Sequence, residues 1–200
     1  MTSALVIVAH PDDETIWMGG TILRNKKWEW TILSLCRRTD PDRFPKYIKV
    51  CSHYGARAII SDLDDEHLKP LPIKEVEEKI MENLEELNYD YIFTHGKNGE
   101  YGHIRHKETH LAVTELVKKQ QIRCKKLFYF SYGPGSHTAP GIPTLRIPLA
   151  IKKNADLSSE LNKEELQSKK EIIQDKYGFQ PSSFEALSCQ DLEAFTSFND

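Results

Sequence analysis

The chain has 200 residues, 39% of them hydrophobic and 28% charged, with a formal net charge of -3. That length suits one α/β unit with a substantial core, and the slightly acidic balance argues against nucleic acid as the main partner, because duplex binding shows a basic excess. No run approaches the ~20 apolar residues of a membrane span.

The first fourteen residues, "MTSALVIVAHPDDE", lack the basic region of a signal peptide and carry too short an apolar run. The cysteines Cys36, Cys51, Cys124 and Cys189 are dispersed and form no CxxC pair. They read as buried free thiols, which suits a cytoplasmic protein.

In chain order, "ALVIVA" reads as a fully buried strand. "ETIWMGGTILR" reads as a helix, with Trp17 and Met18 toward the core and Gly19 and Gly20 allowing close packing on a sheet. "TILSLC" is a second strand, and Arg43 to Tyr54 a helix interrupted near its start by Pro45 and stopped by Gly55. "ARAIIS" is a third strand. "IKEVEEKIMENLEEL" is an amphipathic helix with Ile73, Val76, Ile80, Leu84 and Leu87 on one face. "YDYIFTH" is a fourth strand ending in His95. A glycine-rich loop, "GKNGEYG", leads into a helix from His103 to Lys119. "KLFYFSY" is a fifth strand, "GPGSHTAPGIPT" a loop, "LRIPLA" a short strand, and Ser159 to Asp175 a polar helix. The alternation predicts an α/β fold, residues 1–200 as a single domain, with a mostly parallel sheet covered by helices on both faces.

Two clusters fall after strands, where such sheets bind ligands. "AHPDDE" follows the first strand and "HGKNGEYGHIRH" the fourth, and four of the eight histidines, His95, His103, His106 and His110, lie in one short segment. Asp12, Asp13 and Glu14 stand where a nucleotide fold would present glycine N–H groups to phosphate, so their charge excludes that reading. A cation answers the crowding of carboxylates, and Asp and His suit Zn²⁺. His10 and Asp13 are three apart, and His103, His106 and His110 share a helical face. A catalytic zinc has three protein ligands and an open position, and a free carboxylate such as Asp12 beside it serves as base. Spacing alone leaves open which groups are ligands. "HKETH" lacks the glutamate of HExxH, and "DLDDEH" at 62–67 lacks the glycine of an EF-hand and reads as a loop and helix entry.

"AHPDDE" together with "HGKNGEYGHIRH" resembles the PIG-L/LmbE-type de-N-acetylases. The resemblance implies a Rossmann-like fold, one Zn²⁺ per chain, and hydrolysis of the N-acetyl group of a small N-acetylglucosamine-type substrate, releasing acetate and free amine. It implies His10, Asp13 and His106 as the metal ligands and Asp12 as the general base. His103 then stabilises the oxyanion or protonates the departing amine, Tyr101 helps hold the tetrahedral intermediate, and Arg43 binds substrate. "ADLS", a lysine at 169 or 170 and "KYGFQ" extend the similarity toward the C-terminus. A homo-oligomer is compatible with the chain. Glu14 is expected to support the site by fixing a basic side chain, while His110 and His137 receive no role. The rivals are a two-ion phosphoesterase and a catalytically silent metal- or sugar-binding module.

Overall fold

A computed structural model describes residues 1–198. Its elements are β1 (Ser3–Val8), α1 (Asp13–Arg24), β2 (Glu29–Ser34), α2 (Arg43–Tyr54), β3 (Arg57–Ile60), α3 (Ile73–Asn83), β4 (Asn88–Thr94), α4 (Ile104–Lys118), β5 (Arg123–Phe130), β6 (Tyr132–Ala139), β7 (Ile142–Ala150), β8 (Leu157–Glu160), α5 (Lys163–Glu171), α6 (Phe184–Ser188) and β9 (Leu192–Ser197). The main sheet has the order β3-β2-β1-β4-β5-β9-β8. The first five strands are parallel, and β9 and β8 join in antiparallel register.

The period of two along β1 builds the two cores. Ala4, Val6 and Val8 face Ile16, Trp17 and Ile22 of α1 and Tyr47 and Val50 of α2. Leu5 and Ile7 face Val76 and Ile80 of α3 and Ala112, Val113 and Leu116 of α4. A strand covered on both sides has no polar alternation, which is why it reads as an unbroken apolar run. Strand order reverses between β1 and β4, and the crevice at that switch point receives both histidine-bearing loops.

Helix α1 is kinked at Met18, where φ is -150°. The freed N–H groups of Gly20 and Thr21 donate to the two oxygens of Glu193 on β9, at 2.8 and 2.7 Å. Lys169 Nζ lies 2.8 Å from Glu193 Oε1, and both side chains are fully buried. The freed carbonyl of Trp17 accepts from the Tyr132 hydroxyl. A Cβ on Gly20 would come 2.4 Å from Leu161 Cδ2, so the close packing expected of that glycine is against the segment before α5.

The C-terminal third departs from the sequence reading. "GPGSHTAP" is not a loop: β6 and β7 form an antiparallel hairpin turned at Gly141 (φ 78°). Its prolines read as loop signals, but a two-stranded ribbon consists of edges, where proline is tolerated. The helix expected over 159–175 starts later. Residues to Glu160 belong to β8, and Asn162 with Glu165 forms a capping box that starts α5. Its continuation over Ile172–Lys176 is a π-helical turn.

Candidate metal centre

His10 and the three acids after it leave the end of β1, and His95 leaves the end of β4. Three donor atoms converge there. His10 Nδ1 lies 3.3 Å from Asp13 Oδ2 and 3.2 Å from His106 Nε2, and His106 Nε2 lies 3.4 Å from Asp13 Oδ2. Ligand atoms of a tetrahedral zinc at bond lengths of about 2.0–2.1 Å stand about 3.3–3.4 Å apart. Two imidazole nitrogens and a carboxylate oxygen are the donor types zinc takes, so the triangle fits that ion. His103 joins His10 and His106 in a looser grouping whose donor atoms lie within 4.8 Å.

Hydrogen bonds behind these atoms set which nitrogen carries the proton. Glu100 Oε2 accepts from His106 Nδ1 at 2.6 Å and from His95 Nδ1 at 2.8 Å, and Oε1 accepts the Gly96 N–H. Burial opposes the charge on Glu100, but the two rings and their hydrogen bonds outweigh it and hold the carboxyl at about 2. Glu100 therefore only accepts, and the lone pair of His106 Nε2 faces the triangle. His95 Nε2 accepts the Ala9 N–H at 2.9 Å, so its lone pair is already used. His95 is a wall, stacked on His106 with ring centroids 3.8 Å apart. Asp13 is fixed by its own donors, Trp17 Nε1–H on Oδ1 and the His10 N–H on Oδ2. Burial opposes its ionisation too, but His106 and His95 keep it well below the usual range.

Asp12 stands beside this set with φ 113°, a conformation rarely adopted by a non-glycine residue. Its N–H donates to Glu14 Oε2 at 3.0 Å, and its carbonyl accepts from Thr15 and Ile16. Arg43 Nη1 donates to Asp12 Oδ2 at 2.6 Å and stacks over the Phe179 ring. Burial and the adjacent Asp13 push the Asp12 carboxyl up, against the pull of Arg43. Among the described residues Glu14 has no basic partner, contrary to expectation. Its oxygens take the Asp12 N–H and the hydroxyls of Thr15 and Tyr177, because what needs support there is a strained backbone.

His103 is half-buried and its Nδ1 has no hydrogen-bond partner among the described residues. Burial, with His106 and His10 close by, lowers its pKa to about 3. The Tyr101 ring lies 5.1 Å from that of His106 and 5.7 Å from that of His103. His110 is turned behind the cluster, with Nδ1 on the His95 carbonyl and its ring on Tyr129. His137 is on the hairpin, against Ser136. A cleft of about 180 Å³ opens from the site, lined by His10, Pro11, Asp12, Arg37, Asp40 and Arg43.

Sequence reasoning missed Glu100 and the Trp17 hydrogen bond. Glu100 left one signal: it is the single acid in the glycine loop between two histidine groups.

The family model of the GlcNAc-PI de-N-acetylases, PIG-L, matches residues 5–117. The uncharacterized protein L374 of Acanthamoeba polyphaga mimivirus is 27% identical over 122 residues, 52% of each chain. The chain thus spans about half the length of the curated relative it matches. Among solved structures, the N,N'-diacetylchitobiose deacetylase of Pyrococcus horikoshii superposes with TM-score 0.70 at 15% identity, over 98% of this chain and 84% of that one. GalB, the 4-carboxy-2-hydroxymuconate hydratase of Pseudomonas putida, superposes with TM-score 0.65 at 13% identity, over 100% and 97%. These likenesses are of fold.

Proposed function

Because the chain belongs to the GlcNAc-PI de-N-acetylase family, we propose that it is a zinc-dependent hydrolase of a small N-acetylated amino sugar, with His10, Asp13 and His106 as ligands of one ion. The observation that carries the reading is the triangle of donor atoms 3.2 to 3.4 Å apart with a further carboxylate, Asp12, held beside it. The structural likeness to a deacetylase that acts on diacetylchitobiose supports it.

A divalent ion held there supplies Lewis acidity toward an amide carbonyl and toward water. Asp12 takes the proton of the attacking water. Its raised proton affinity suits a base that later returns that proton, and Arg43 fixes which oxygen is free. The His103 and Tyr101 rings border the triangle, where they stabilise the oxyanion and guide a proton to the departing amine. The C–N bond breaks, leaving acetate and the free amine. Arg43 and Arg37 line the cleft through which the sugar enters. The proposed setting is cytoplasmic, since all four cysteines are free thiols. No helix among the described residues is long and apolar enough to cross a membrane.

The test is acetate release from a panel of N-acetylglucosaminyl compounds with different aglycones, with zinc counted per chain. Acetate release dependent on one equivalent supports the proposal. Two equivalents with phosphate-ester cleavage favour the phosphoesterase reading. Since a hydratase shares the fold, 4-carboxy-2-hydroxymuconate belongs in the panel, and its turnover without acetate release from any amide would overturn the assignment.

A further inference from the structure

The acidic segment 62–66 has no place in the roles above, yet the structure carries one of its members into the centre. His10 Nε2 lies 3.1 Å from Asp65 Oδ1. Asp65 is 8% exposed, and its other oxygen accepts from Arg37 Nη2 at 2.6 Å. Oδ1 is buried and accepts no hydrogen bond among the described residues, so the His10 ring nitrogen meets it as an ion-pair neighbour.

We propose that Asp65 is a positioning residue of the metal centre: it holds the Nε2–H edge of the His10 ring and so turns Nδ1 into the ligand triangle. The proposal rests on the reading of His10, Asp13 and His106 as ligands. An imidazole flipped by 180° would put carbon at both places, a C–H against Asp65 and a C–H in the triangle. Asp65 therefore selects one of two rotamers of similar shape. The relation parallels that of Glu100 to His106, except that there Nδ1 is held and Nε2 is delivered. Each imidazole of the triangle thus has its own carboxylate, on a different loop.

The loop bearing Asp65 is tied to the helix bearing His106. Arg105 of α4 is fully buried. Its guanidinium donates to the carbonyls of Asp64 and Lys69 and to the carboxylates of Asp64 and Glu108. Glu108 in turn accepts the Leu71 N–H at 2.8 Å. An acidic stretch that resembles a solvated loop is thereby fixed at both ends of the turn that presents Asp65.

Cys36 shares a grouping with His10 and Asp65 in which donor atoms lie within 4.8 Å. A second ion there is the rival explanation of the buried carboxylate. Burial pushes the Cys36 thiol well up where no ion is bound, and a bound ion would reverse that, so the number of ions per chain decides between the two explanations.

The experiment measures metal affinity, not turnover. Metal-free parent, Asp65→Asn and Asp65→Ala proteins are titrated with Zn²⁺ against a competing chelator, and with Co²⁺ by visible absorption, with Glu66→Gln as a neighbouring control. Asp65 faces two donors, and an asparagine offers them a single uncharged acceptor, which weakens the hold on His10 whichever way it turns, while alanine removes that hold. Expected is a loss of about 10- to 100-fold in affinity for both variants, an altered Co²⁺ spectrum, and parent-like behaviour of the control. Circular dichroism and urea unfolding of the metal-free forms check folding; if the alanine variant is unfolded, the asparagine variant alone decides. Parent affinity and an unchanged Co²⁺ spectrum in folded Asp65→Asn protein would overturn the proposal. So would two equivalents in the parent with the second lost in Cys36→Ser. A parent that binds no ion fails the ligand reading itself, whereas a parent that binds one ion regardless of Asp65 fails only this inference.

Discussion

The backbone N–H of Asp12 donates to the side chain of Glu14, two residues on, at 3.0 Å. Local charge repulsion does not make that contact; the positive φ of Asp12 does, by pointing its N–H back along the helix entry. Burial raises the Glu14 pKa from 4.5 to about 7. An acid raised in the folded state binds its proton there between these values while the unfolded chain has lost it. Stability from this group is therefore present below about pH 4.5 and is lost as pH rises toward about 7, by roughly 3 kcal/mol. In Glu14→Gln the hydroxyls of Thr15 and Tyr177 can reorient to accept from the new NH₂. Urea unfolding of the metal-free proteins from pH 4 to 8 should show the parent losing that much more stability than the variant. Parallel curves would refute the role of Glu14.

Asp12→Asn should keep the fold and one equivalent of zinc, because Asp12 contributes no atom to the 3.2–3.4 Å triangle. Acetate release should fall by about 10²- to 10⁴-fold, the usual contribution of a general base. Rates and metal content measured on one preparation decide it. Retained activity would remove Asp12 from the mechanism.

Glu100→Gln tests the carboxylate behind His106. Three donors, from His95, His106 and Gly96, converge on its two oxygens. An amide has one acceptor oxygen, so its NH₂ must meet a buried donor, at a cost of about 1–3 kcal/mol. The metal-free variant should unfold at lower urea by that amount and bind zinc more weakly. A variant as stable as the parent would mean that the network reorganises freely.

Lys169→Met tests the lock between α5, β9 and the kink of α1. It leaves Glu193 charged and fully buried, still held by Gly20 and Thr21 but without its ammonium partner. Breaking a buried pair on one side costs about 3–5 kcal/mol. Adding Glu193→Gln should restore part of that loss, because it removes the stranded charge. Equilibrium unfolding of both variants measures the difference.

The parallel sheet and its four covering helices were legible because each element carries its own period, as in the unbroken apolar run of β1 and the Ile73, Val76, Ile80 spacing of α3. Strand β6 and the start of β7 were not, because Pro134, Pro140 and Pro143 give a loop signal that only cross-strand pairing overrides, although "LRIPLA" within β7 reads as a strand. Strand β9 was also missed. Its residues are short and mixed, and the fully buried Glu193 argues against a core strand until Lys169 is seen beside it.

The site divides the same way. "HPDD" and "HIRH" already contain His10, Asp13 and His106, residue types suited to a cation, while spacing alone leaves open which groups would be its ligands. Which nitrogen each ring presents, and that His95 is a wall and not a donor, depend on Glu100, Asp65 and the Ala9 N–H. Asp65 lies 55 positions from His10, and Ala9 lies 86 from His95, and no local period links residues so far apart. Asp65 finds the His10 ring, and the Ala9 N–H finds His95, only because the sheet brings three loops to one end, where an unpaired polar group costs too much to leave alone.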